Sequence, residues 1–94
     1  MNMKSAYELA MERLERQAPT HQLTAAQKSA IAEIESLYKA RIAERELLLK
    51  GEIEKAMAKG DLGEVDSLQK QLAMDTRRLT EECETKKSKA REPA

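Results

Sequence analysis

The chain has 94 residues, 17 Lys and Arg against 17 Asp and Glu, two Tyr, and neither Phe nor Trp. That length allows one small domain, and a core without aromatic bulk is a thin seam rather than a thick centre. The balanced charge excludes a polyelectrolyte made for nucleic acid or an anionic membrane. The single cysteine excludes an intrachain disulfide framework, and no apolar run approaches the length of a membrane span or a signal peptide, so the expected location is the cytoplasm.

Each predicted helix opens on a capping box, in which a cap oxygen accepts the N–H three residues on and a Glu or Gln reaches back. The first is Ser5-Ala6-Tyr7-Glu8, opening a helix over about 6–17 with a stripe of Met3, Tyr7, Ala10 and Leu14; Pro19 ends it. The second is Thr24-Ala25-Ala26-Gln27, opening a helix over about 25–59, or ~52 Å at 1.5 Å per residue. Gly51 lies inside it at a cost of ~1 kcal/mol relative to alanine, and Gly60 supplies the left-handed residue that closes it. The third is Asp61-Leu62-Gly63-Glu64, opening a helix over about 62–91, with Pro93 beyond. Glu12–Arg16, Glu35–Lys39, Glu46–Lys50, Asp66–Lys70 and Glu82–Lys86 are spaced for i,i+4 ion pairs of ~0.2–0.5 kcal/mol each.

The two long helices mirror each other about Gly60-Asp61. Seam positions Ile31, Ile34, Tyr38, Ile42, Arg45, Leu49, Ile53 and Ala56 face Ala90, Lys87, Cys83, Leu79, Thr76, Leu72, Leu68 and Val65, and each pair of numbers adds to 121. The 3-4-4 spacing is an 11-residue repeat, so the pair is expected to be nearly straight or slightly right-handed. The fold class is all-α: one domain over 1–94, a long antiparallel, coiled-coil-like helical hairpin. The short first helix is expected to fold back, with Tyr7, Ala10, Met11 and Leu14 covering Ala30, Ile34 and Leu37 in a local three-helix bundle.

Two layers break the apolar rule. Arg45 opposite Thr76 is a candidate polar layer. Its expected form is an Arg45 that snorkels with its stem over the seam; the alternatives are a partner in Glu46, Asp75 or a second subunit, setting the register. Lys87 opposite Ile34 marks where the hairpin is expected to open. Leu37, Leu47, Leu48 and Met74 lie off the seam and are the candidate interface for a homodimer; the alternative is scattered exposure on a monomer.

The chemistry-bearing residues are sparse. His21 stands alone in the connection, with no second ligand for a metal. Cys83 falls on the seam as a small apolar residue, and a redox role would need exposure and a depressed pKa. Asp61, Glu64 and Asp66 lack EF-hand spacing and fit helix capping. Glu-x-x-His, a Ser/His/Asp set and a phosphate loop are missing. The candidate basic patch is Lys86, Lys87, Lys89 and Arg91, which oppose the helix dipole and could touch phosphate but lack aromatics for base stacking. No cofactor and no enzymatic activity are expected.

Ser5-Ala6-Tyr7-Glu8-Leu9-Ala10, the Pro19-Thr20 break, Leu23-Thr24 with Gln27-Lys28, and Ile31-Ala32-Glu33-Ile34 together resemble small, uncharacterised bacterial proteins of coiled-coil type. The resemblance implies a helical hairpin and brings no site residues. The expected role is a structural or protein-interaction module that self-associates. The alternatives are a nucleic-acid-associated protein using the basic end, or a small regulatory subunit docking on another protein.

Overall fold

In the computed structural model residues 5–17 and 22–93 are described, residues 14–17 through their backbone alone. Met3, Pro19 and His21, and the side chain of Leu14, lie outside the described residues. Three helices result: α1 over Ala6–Gln17, α2 over Ala25–Lys59 and α3 over Leu62–Arg91. α2 and α3 pack against each other along their length as an antiparallel hairpin.

The ends are made by the residues that the sequence marks. Thr24 closes its capping box on both sides: Gln27 N–H donates to Thr24 Oγ1 at 3.0 Å and Thr24 N–H donates to Gln27 Oε1 at 2.9 Å. Ser5 and Asp61 make the forward bond, accepting from the N–H groups of Glu8 at 3.2 Å and Glu64 at 3.0 Å. The hairpin turn is a Schellman closure. Gly60 N–H donates to the Met57 carbonyl and Asp61 N–H to the Ala56 carbonyl, both at 3.0 Å, with Gly60 at φ 72°. Asp61 therefore ends α2 with its backbone and starts α3 with its side chain, which makes the connection two residues long.

All sixteen seam positions, from Ile31 to Ala56 and from Val65 to Ala90, are buried or half-buried. Tyr38, Leu49, Ala56, Val65 and Leu79 form the buried apolar core. Burial of this single seam is what the hydrophobic effect has to work with, since a two-helix layer leaves every other face to solvent.

The expected local three-helix bundle does not form. Among the described residues α1 touches neither α2 nor α3, and Tyr7 is 74% exposed. Instead of opening the hairpin, Lys87 lies across the layer of Ile34 with its side chain 14% exposed, and its Nζ is held by Glu35 at 3.0 Å and Glu84 at 3.3 Å. Its methylene stem is buried at the seam while its ammonium reaches the two carboxylates. Beyond it, Gln27 Nε2 donates to the Glu92 carbonyl at 2.9 Å. One glutamine thus caps the start of α2 and ties down the end of α3.

Candidate functional site

The polar layer at mid-hairpin is the ion pair of Arg45 with Asp75, the alternative to snorkelling, and it lies one residue from the Thr76 position. Asp75, on α3, is 5% exposed. Arg45 reaches it from α2, with its Nε–H and Nη2 both donating to Oδ2 at 3.0 and 2.7 Å. Gln71 Nε2 donates to Oδ1 at 2.9 Å from one turn earlier, and Arg78 Nη2 stands 4.0 Å from the same oxygen. Arg45 therefore does not simply snorkel, and Thr76 only fills its half-buried layer position. The Arg45 hydrogen bonds hold the Asp75 carboxyl below its ordinary pKa against the opposing effect of burial, with Gln71 and Arg78 assisting.

Two turns toward the N-terminus of α2, Tyr38 is the most buried large side chain, at 2% exposure. Its hydroxyl donates a long 3.4 Å bond to Glu82 Oε2. Arg41 and Lys86 both lie over its ring, at 5.1 and 5.3 Å from the centroid, within cation–π range. A groove lined by Tyr38, Arg41, Arg78, Lys86 and Lys89 runs along this flank, with Glu81 and Glu82 offsetting part of its charge.

The basic patch does not act as one surface. Successive α3 residues turn by 100°, which spreads Lys86, Lys87, Lys89 and Arg91 around the helix. Lys86 is drawn to Tyr38 and Lys87 into the seam, where Glu35 and then Glu84 raise its pKa above the ordinary lysine value. These cross-hairpin contacts also redirect two expected i,i+4 pairs. Glu35 bonds Lys87 and Glu82 bonds Tyr38, while Glu46–Lys50 at 3.9 Å and Asp66–Lys70 at 2.9 Å form within their helices.

Leu37, Leu47, Leu48 and Met74 are all exposed, yet they do not form one patch. Leu47 and Met74 each lie two residues, or about 200°, from the buried seam of their own helix. They sit level with each other on opposite backs of the hairpin. Leu37 and Leu48 each precede a buried seam residue, Tyr38 and Leu49, and so share one flank of α2. Exposed Met57 and Leu62 lie beside the turn.

Among the described residues no three His, Cys, Asp or Glu side chains gather to hold a metal ion, and no helix is long and apolar enough to cross a membrane. Cys83 is a half-buried free thiol that lines a separate pocket with Tyr38, Ile42 and Thr80. No buried side-chain nitrogen or oxygen lacks a hydrogen-bond partner among the described residues. Asp75, Tyr38 and Glu82 are the residues that sequence reasoning underweighted. The signal for Asp75 was its position one short of the Arg45 layer and one turn after Gln71. No family model, no curated protein and no solved structure matches the chain.

Proposed function

We propose that the protein is a non-enzymatic structural and protein-interaction module, a helical hairpin that self-associates. The observation that carries the reading is the set of large apolar side chains left exposed on the faces of the hairpin away from its seam. Leu47 is 79% exposed and Leu48, Leu37 and Met74 are exposed with it, on a hairpin whose own burial is confined to one seam. Helix α1 adds exposed Tyr7 and Met11 on one side and exposed Leu9 on the other, and an isolated helix of twelve residues is marginal in water without packing. Homo-oligomers with twofold symmetry are the commonest way for a small chain to cover such surface.

Light scattering coupled to size exclusion tests this. The expected mass is a multiple of 10.6 kDa that falls toward one chain on dilution. A mass of one chain at high concentration removes self-association and leaves docking on a different protein as the use of the same side chains. The variant carrying Leu47→Glu and Leu48→Glu is expected to be monomeric with its helical circular dichroism intact.

A further inference from the structure

Four exposed residues occupy the flank of α2 that carries Leu37 and Leu48. Leu37, Arg41, Glu44 and Leu48 follow one another at spacings of four, three and four residues, which keeps them within one stripe. The two leucines stand about 16 Å apart along the axis. The spacing 4-3-4 is its own reverse. The residue types reverse with it, leucine onto leucine, except that arginine falls on glutamate. That is the composition a stripe needs to pair with itself: twofold symmetry brings residue i to j and j to i, so each charge meets its opposite and each leucine meets a leucine. Neither Arg41 nor Glu44 is in an ion pair among the described residues; Arg41 rests over the Tyr38 ring.

We propose that this stripe is the seat of a second copy of the chain, with its α2 lying antiparallel across the first, residue n against residue 85 − n. Leu37 then packs on Leu48 of the second copy, and Arg41 on its Glu44, each contact made twice. The arrangement rests on the self-association reading and adds to it the surface and the direction. Beyond the leucine layers Glu33 would stand level with Glu52 of the second copy, and helices that cross at about 20–50° have diverged there. The backs of the hairpin offer no such match. Met74 is set among Lys70, Ala73 and Arg77, and Leu47 faces the other way.

The test uses the full chain with Cys83→Ser to remove the native thiol. Leu37→Cys and Leu48→Cys variants are made separately, mixed, allowed to exchange and oxidised. The expected product is the mixed disulfide between positions 37 and 48, with each self-disulfide scarce. In parallel, Arg41→Glu and Glu44→Arg are each expected to weaken dimerisation about tenfold, and the chain carrying both to recover it. Circular dichroism checks that each variant stays helical, which is expected because all four positions are exposed. Self-disulfides at 37 or 48, or a double swap that does not recover, overturn this arrangement while a dimer mass keeps self-association standing. A single-chain mass at every concentration overturns both.

Discussion

Arg45 and Asp75 join the two long helices through a two-pronged contact on one carboxylate oxygen, at 3.0 and 2.7 Å, and Asp75 is the only charged residue buried among the described residues. The two ends of the pair are unequal. Arg45 keeps 39% of its side chain exposed, whereas Asp75 keeps 7%. Arginine can therefore return to water if it loses its partner, and aspartate cannot.

That asymmetry orders the substitutions. Arg45→Leu leaves a buried carboxylate with only Gln71 and the more distant Arg78 beside it and is expected to destabilise the hairpin more than Asp75→Leu does, since breaking a buried pair from one side costs most when the remaining charge stays buried. The chain with both leucines is expected to be more stable than the one with Arg45→Leu alone. Urea unfolding followed by circular dichroism checks the order; equal losses for the two single variants would contradict it.

Acid should loosen the mid-hairpin layer. The folded pKa of Asp75 is depressed below its ordinary value of 3.8, so its contribution is present above that pH and is lost as pH falls through the folded value. Lys87 has the opposite sign. Its folded pKa is raised above 10.5, so its contribution is complete below that pH and is lost as pH rises through the folded value. Melting curves of Asp75→Asn and Lys87→Met are expected to flatten on the acid and the alkaline side respectively, and to leave the other side unchanged.

Gly60 and Gly51 should respond with opposite signs. Gly60 holds a left-handed φ of 72°, so Gly60→Ala is expected to cost about 1–2 kcal/mol. A Cβ added at Gly51 meets nothing within 4 Å, so Gly51→Ala is expected to add about 1 kcal/mol. Thermal melting separates them in one experiment.

Seam and back differ in the same way. Leu49 is buried, and Leu49→Ala is expected to cost about 2–5 kcal/mol. Leu47→Ala, two residues away, is expected to leave the hairpin within about 0.5 kcal/mol. Chemical denaturation of the two variants at a concentration low enough to keep them monomeric makes the comparison.

Much of this fold was legible because its rule is arithmetic. An 11-residue repeat on either side of a two-residue break states which residues meet, the helix starts follow from the capping side chains of Ser5, Thr24 and Asp61, and the end of α2 follows from Gly60. Asp75 was harder to read because it lies just beside the stripe, at a position where a charge ordinarily faces water. Only the reach of Arg45 and the support of Gln71 make its burial affordable. The opening expected at Lys87 was misjudged for a related reason: a lysine in an apolar layer looks like a gap, but Lys87 is anchored by two carboxylates and its side chain is only 14% exposed. The split of Leu37, Leu47, Leu48 and Met74 among three faces was present in the sequence, since two residues off a seam is half a turn away. What the spacing of charges could not show was their choice of partner across the hairpin, as Glu35 and Glu82 demonstrate.

Every relationship above depends on α2 and α3 of one chain pairing with each other in the register that adds to 121. Cysteines at Leu49 and Leu72, in a chain with Cys83→Ser, test it most directly. Oxidation is expected to give a disulfide within one chain, running as a faster monomer on a non-reducing gel at every protein concentration. A disulfide that forms only between chains, and in proportion to concentration, would mean that the helices pair across copies and would contradict the hairpin.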